Sequence, residues 1–143
     1  MIEHVEDHST AIKEMCRVAK YGASIIITVP AFNFLWSEHD IVNHHFRRYT
    51  KTDLENLINQ SRLRKIFVSY FNFFLFPVVY LLRKMNNIKI KGTTKNKSDF
   101  KTFETNFFAK ILYKIFESEK NLLQERKHFP FGVSIIGHYK KVN

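Results

Sequence analysis

The stretch from Thr28 to Thr50 reads TVPAFNFLWSEHDIVNHHFRRYT and joins an apolar run to a helix-start signal. The apolar run, Ala23–Val29, predicts a buried strand of the kind found in parallel sheets. Pro30 should end that strand, because proline has no N–H to donate to a neighbouring strand. Polar and aromatic side chains just past a buried strand are typical of the ligand crevice of an open α/β sheet. We therefore expect a substrate-binding loop; the alternative is a solvated loop whose aromatic residues cover the core.

The segments on either side of this stretch are predicted to be helical. Cap-type residues near position 7 begin a helix that runs to about Ala19, and Gly22 makes the turn into the strand. Thr50 and Asp53 form a capping box, which begins the next helix. A helix, a glycine turn and an apolar strand make half of a βαβ unit, so the sequence predicts an α/β fold.

The C-terminal part of the chain adds two more predicted strands, Lys65–Phe71 and Phe131–Tyr139. Between them we predict a helix opened by Pro77 and a long helix over about 105–126. The first should carry one apolar stripe, formed by Val78, Leu81, Leu82 and Met85. Glu119 falls on the inward face of the second, and we expect it at a helix edge where its carboxylate reaches water. Residues 83–104 are rich in lysine and predict a basic linker within one domain.

The composition limits the class of protein and of partner. The 143 residues suit a single domain with a real core, and the formal charge of +10 favours an anionic partner. Cys16 is the only cysteine, which predicts a reducing, cytoplasmic environment. We expect no signal peptide, because Met1 leads directly into an acidic segment. The longest apolar stretch, 70–82, is too short to span a bilayer.

Several short motifs, taken in order, resemble class I S-adenosylmethionine-dependent methyltransferases of the type 11/12 kind. The resemblance covers nearly the whole chain and is most specific from Thr28 to Thr50. The motifs are Glu3-His4-Val5, Thr28-Val29-Pro30-Ala31, Leu35-Trp36-Ser37-x-His39-Asp40, Arg47-Arg48-Tyr49-Thr50, Ser69-Tyr70-Phe71-Asn72 and Phe129-Pro130-Phe131-Gly132.

The resemblance implies the C-terminal half of a Rossmann-like sheet. The three predicted strands would be the fifth, the sixth and an antiparallel seventh inserted between them, with added helices between the last two. Residues 1–143 would then be one partial domain. The family's cofactor is S-adenosylmethionine, held mainly by a glycine-rich turn and an acidic residue that have no counterpart in this sequence. Glu3 and His4 match the rim of the cofactor pocket, so we expect this chain alone to bind the cofactor poorly or not at all.

Histidines are the candidate bases, since methyl transfer to a hydroxyl or amine benefits from a group that titrates near neutral pH. The candidates are His4, His39 and His45. The family carries glycine where this chain has His44, so the resemblance gives His45 the role of the family's histidine. For each histidine the alternative is a hydrogen-bonded structural or surface residue.

The predicted substrate-binding residues are Trp36, Asp40, Arg47, Arg48 and Tyr49. The two arginines suit an anionic group, but each could instead pair with an acid such as Glu38, Asp40 or Asp53. The two aromatic residues suit stacking, or packing over the core. No metal site is predicted, because His39, His44, His45 and Cys16 have no recognised ligand spacing.

The predicted function is transfer of a methyl group to a small or lipid-linked acceptor when an N-terminal half is present. The alternative is an inactive remnant, or a non-catalytic basic module that binds an acidic membrane surface or nucleic acid.

Phe73 to Ile90 is apolar and then basic, which suits docking on a membrane from the cytoplasm or a lid helix buried against the long helix. No motif favours specific nucleic-acid binding. The free edge of Ala23–Val29 invites self-association.

Overall fold

The computed structural model describes residues 1–89 and 106–142, which form an α/β fold. The elements are, in order, α1 (His8–Val18), β1 (Ser24–Pro30), α2 (Glu38–Val42), α3 (Lys51–Asn59), β2 (Leu63–Phe71), α4 (Phe76–Lys89), α5 (Asn106–Gln124) and β3 (Ser134–Lys141). There are also two short 3₁₀ turns: Ile2–His4 precedes α1, and Asn33–Leu35 follows β1. The predicted α/β class is confirmed.

The sheet has the strand order β1-β3-β2, and β3 is antiparallel to both neighbours. The first two strands therefore run in the same direction on either side of the last. Gly137 of β3 lies opposite Ile27 on one side and Val68 on the other. Within the described ranges the outer edge of β1 has no strand paired to it, which leaves the prediction of self-association open to test.

One face of the sheet forms the core with α1 and α3. Successive strand side chains point to opposite faces, so the buried residues come from alternate positions. The strand members of this core are Ile27, Val29, Leu63, Val68, Tyr70, Ile135 and Tyr139; the helices add Ile12, Cys16, Leu54, Leu57 and Ile58. This layer fixes the end of β1, where the candidate site begins.

The other face of the sheet is covered less completely. Ile26 of β1 is 66% exposed, and Phe116 of α5 is 45% exposed. Between the sheet and α5 lies an open groove of about 500 Å³, lined by Ile26, Phe67, Phe116, Leu123, Ile136 and His138 among others. Phe116 of α5 therefore faces a groove that the helix leaves open.

The start of the helix at Thr50 and the end of the strand at Pro30 were predicted correctly. Thr50 Oγ1 caps α3 by accepting the Asp53 N–H at 3.1 Å, and Thr50 N–H donates to Asp53 Oδ2 at 2.8 Å. Pro30 is the last residue of β1. The predicted start of β3 was three residues early. Gly132 lies so close to the backbone of Phe71 that a Cβ atom would collide with its carbonyl group, so this segment is a tight crossing and not a strand.

The prediction for Glu119 was wrong. Its side chain is buried at 2% exposure, and both carboxylate oxygens accept the Phe73 backbone N–H, at 3.0 and 3.2 Å. A buried carboxylate is tolerated when a donor satisfies it. Here the donor lies 46 residues away in sequence, between β2 and α4. Glu119 therefore ties α5 to the start of the α4 segment.

Three residues of the apolar stripe of α4 are exposed, and the side chain of the fourth, Met85, lies outside what the structure describes. Pro77 lies in the first turn, as predicted, but Val78, Leu81 and Leu82 are 51%, 58% and 43% exposed. The predicted linker is also helical at its start, because α4 continues to Lys89; the rest of it, 90–104, lies outside the described residues. In the ranges that the structure describes, no helix is both long and apolar enough to cross a membrane.

Candidate functional site

The loop after β1 returns to its own starting point. Ala31 and Tyr49 form a parallel bridge, with Phe32 N–H donating to Tyr49 O and Tyr49 N–H donating to Pro30 O, both at 2.9 Å. The loop is therefore closed at its base by backbone hydrogen bonds. Phe32 has a φ of 55°, a left-handed conformation that turns the chain away from the strand. Residues 32–48 are held as one unit at the end of β1.

A fully buried carboxylate, Asp40, organises the inside of this loop. Arg48 donates to it through two nitrogens, Nε to Oδ1 at 2.9 Å and a terminal nitrogen to Oδ2 at 3.0 Å. The Ser37 N–H donates to Oδ2 at 2.9 Å, which completes a capping box at the start of α2. Such a two-point pairing of arginine and carboxylate fixes both side chains in orientation as well as position.

The Asp40 carboxylate stays ionised in this setting. Burial alone raises the pKa of Asp40, but the hydrogen bonds from Arg48 and His45 outweigh it, and the pKa lies below its ordinary value. Arg48 uses a further nitrogen to donate to Ala31 O at 3.0 Å. The buried pair thus connects α2, the returning end of the loop and the end of β1.

His45 is oriented by the same carboxylate. Its Nδ1 lies 2.9 Å from Asp40 Oδ1, and its backbone N–H donates to Asp40 O at 2.9 Å. An ionised carboxylate only accepts, so in the neutral ring Nδ1 carries the proton and Nε2 has the lone pair. The preceding residue, His44, has a φ of 54°, so this histidine adopts the left-handed turn that a glycine would favour.

The N-terminal 3₁₀ turn brings two more predicted residues to His45. Ile2 is buried in the core, and Phe46 N–H donates to Glu3 O at 2.8 Å, which joins the turn to the loop. The His4 and His45 rings meet edge to face, with centroids 4.7 Å apart. Ligand atoms of Glu3, His4 and His45 all lie within 4.8 Å of one another. Glu3 is buried, His45 half-buried and His4 exposed.

Tyr49 and His8 form a second contact between the loop and the N-terminal region. His8 Nδ1 lies 2.8 Å from the Tyr49 hydroxyl. Burial raises the pKa of Tyr49 to about 12, and burial together with the Arg47 charge lowers the pKa of His8. At neutral pH the phenol therefore donates to an uncharged imidazole. Sequence reasoning missed His8, because the two residues are 41 positions apart and share no motif.

The structure separates the predicted substrate-binding residues into two groups. Asp40 and Arg48 are paired with each other, and Tyr49 is 2% exposed, so these three residues hold the loop through internal contacts. Arg47 donates to Glu6 O at 2.6 Å near the surface, and Trp36 is half-buried. These two remain able to meet a substrate.

Among the candidate bases, His4 and His45 lie together and His39 does not join them. His39 is exposed on α2 and is absent from the Glu3, His4 and His45 group. In the described part of the chain, His45 is the candidate base with a fully buried carboxylate behind it. The site can therefore hold one imidazole in a fixed orientation, with its free nitrogen beside a second imidazole and a carboxylate.

Comparisons with known proteins do not assign this arrangement to a family. No protein-family model matches the chain, and no curated protein is significantly similar to it. The functional conclusion therefore depends on the geometry of the loop and on the sequence motifs.

Proposed function

We propose that this chain is the substrate-side part of an S-adenosylmethionine-dependent methyltransferase that acts on a small or lipid-linked acceptor. The observation that carries the proposal is His45, held by a buried carboxylate at the end of a strand with its Nε2 free. A positioned base of this kind is what transfer to a hydroxyl or amine needs. Trp36 and Arg47, the partly accessible members of the predicted substrate-binding set, are the proposed contacts to the acceptor.

The proposed role of His45 is to take the proton of the acceptor through Nε2. Asp40 orients the ring, and its carboxylate lies 2.9 Å from Nδ1 on the side of the ring away from the proton transfer. Arg48 keeps that carboxylate in place. The cofactor would supply the methyl group, and the remaining contribution of the protein is the alignment of the acceptor.

The order of the strands supports the proposal. The resemblance implies an antiparallel last strand between the two before it, and the order β1-β3-β2 has that form. The Phe131-Gly132 motif also has a physical reason, since the close approach to Phe71 admits only glycine. In an open sheet of parallel strands, the crevice lies beyond the carboxyl ends of the strands, where the loop after β1 is found.

The described residues do not by themselves fit S-adenosylmethionine. Glu3 and His4 offer one edge, and the Glu3 backbone and carboxylate are already engaged, by Phe46 N–H and by the Met1 ammonium. None of the four glycines lies in a phosphate- or nucleoside-binding turn motif of the GxGxxG kind. The proposal therefore requires a second half of the domain, which would provide the main contacts to the cofactor.

A titration with S-adenosylmethionine tests this requirement. We expect no heat above background when the 143-residue chain is titrated, because it lacks the main cofactor contacts. The form that the native cells produce, or the complex in which it occurs, is expected to bind the cofactor. Micromolar binding by the chain alone would show that the two-half account is wrong. No binding by any native form would overturn the methyltransferase proposal itself.

A second candidate function, docking on an acidic membrane, is favoured by the exposed stripe of α4. Val78, Leu81 and Leu82 are accessible, Lys84 follows them, and the chain carries a formal charge of +10. Apolar side chains beside cations suit the interface of an anionic bilayer. We expect Leu81→Asp to reduce co-sedimentation with acidic phospholipid vesicles. Tyr113→Asp, at a similarly exposed site on α5, should not. Equal loss in both variants, or equal binding to neutral vesicles, would contradict this role.

A further inference from the structure

We infer that Glu3, His4 and His45 form a binding site for a divalent transition-metal ion of the zinc type. The two imidazoles belong to His4 and His45, which are 41 residues apart in sequence. Their ligand atoms and that of the Glu3 carboxylate lie within 4.8 Å of one another. This inference does not depend on the proposed methyl transfer, because it concerns the affinity of the folded chain for the metal alone.

The spacing is close to that of a bound ion. Zinc binds histidine nitrogen and carboxylate oxygen at about 2.0–2.2 Å, which places tetrahedral ligand atoms about 3.4 Å apart. The three groups therefore need only small side-chain rotations to converge. His4 is exposed, and Glu3 Oε1 faces its Nε2 at 3.6 Å while Glu3 Oε2 pairs with the Met1 ammonium.

His45 has the kind of hydrogen-bond partner that usually supports a metal-binding histidine. A metal-binding histidine usually donates its other ring N–H to a carboxylate, which fixes the ring and strengthens it as a ligand. Asp40 Oδ1 accepts from Nδ1 at 2.9 Å and is itself held by Arg48, so Nε2 is the atom left for an ion. The backbones of the two ligand segments are joined by the hydrogen bond from Phe46 N–H to Glu3 O.

The ligand set selects the class of ion. Two imidazoles with one carboxylate suit zinc and related transition metals, whereas magnesium prefers oxygen ligands throughout. Three protein ligands leave a fourth position open, where a hydroxyl or water could bind and lose its proton more readily. With an ion bound, Nε2 of His45 is a ligand, and proton loss at the acceptor would be promoted by the metal charge instead.

The inference is tested by titrating the chelator-treated protein with zinc chloride. We expect one ion per chain, with binding weakened at least tenfold in His45→Ala and in Glu3→Gln, and no comparable binding of magnesium. His44→Gly is the matched control: it removes the neighbouring histidine, suits the left-handed backbone there and leaves the cluster intact. Circular dichroism checks that each variant is folded.

Cobalt provides a second readout, since its visible spectrum reports the ligands around the ion. We expect a saturable spectrum in the wild type and in His44→Gly, and its loss in Glu3→Gln. The absence of saturable zinc binding by the wild type would overturn the inference, and so would equal affinity in all three variants. In that case the two histidines are an edge-to-face pair only.

Discussion

Replacement of Asp40 by asparagine is expected to lower the free energy of unfolding by about 3–5 kcal/mol. The reason is the position of Arg48, which is buried and has Asp40 as its carboxylate partner inside the loop. An amide cannot balance the guanidinium charge, so the variant leaves a buried cation without its counter-charge. Ser37 N–H bonds Oδ2 and His45 Nδ1 lies against Oδ1, so an asparagine, with its single oxygen, can satisfy only one of them. Urea unfolding at neutral pH, with the slope of the transition compared, measures the effect.

Asp53→Asn is the matched control for this experiment. Asp53 occupies the same capping-box position in α3 that Asp40 occupies in α2, but its hydrogen bonds to Thr50 are exposed. Its loss should cost only about 1 kcal/mol, the usual value of a helix cap. The difference between the two variants therefore isolates the buried pair. Equal costs in the two would mean that Asp40 acts as a cap and does not organise the loop.

The same carboxylate predicts a dependence of stability on pH. The pKa of Asp40 is lower in the folded chain than its unfolded value of about 3.9. The stabilisation is therefore fully present above about pH 4 and is lost as the pH falls through the lower, folded pKa. Wild type should lose more stability on acidification than Asp40→Asn, which has no proton to gain at this position.

His45→Ala is expected to reduce methyl transfer by the active form about 10²- to 10⁴-fold, the range usual for a positioned base. His45 is the candidate base with a buried carboxylate behind it, and it lies next to Glu3 and His4 at the end of β1. His44→Gly is the control, because its left-handed backbone accepts glycine without strain. The initial rate at saturating cofactor is the quantity to compare.

His39→Ala separates the two candidate histidines of the loop. His39 is exposed and stands apart from the group around His45. Full activity in His45→Ala together with loss in His39→Ala would move the base to α2 and contradict the role assigned to the oriented imidazole. Loss in both with correct folding would mean that the acceptor spans the loop.

Local signals in the sequence were sufficient for the elements that depend on neighbouring residues. The end of β1 at Pro30 could be predicted because proline has no N–H to donate, a property of that residue alone. The start of α3 could be predicted because the capping box of Thr50 and Asp53 is complete within four residues. The α/β class followed from the same kind of signal. The exposed stripe of α4 could not be foreseen, since helical spacing shows that a stripe exists but not whether another element covers it.

The candidate site depends on contacts between distant segments. The sequence offered several acids as partners for Arg48, and the fold buries Arg48 against one of them, Asp40. Glu119 was predicted to reach solvent at a helix edge, because the group that satisfies it, the Phe73 N–H, lies 46 residues away and helical spacing does not reveal it. The meeting of Glu3 and His4 with His45 likewise arises only when the N-terminal turn docks on the loop.

The most direct test of the central claim is methyl transfer by the native protein. The form made by its own cells should be purified intact and incubated with radiolabelled S-adenosylmethionine and with the lipid and water-soluble extracts of those cells. We predict label in one of the two fractions, and its loss in His45→Ala but not in His44→Gly. No label above background with any native form or complex would contradict the account.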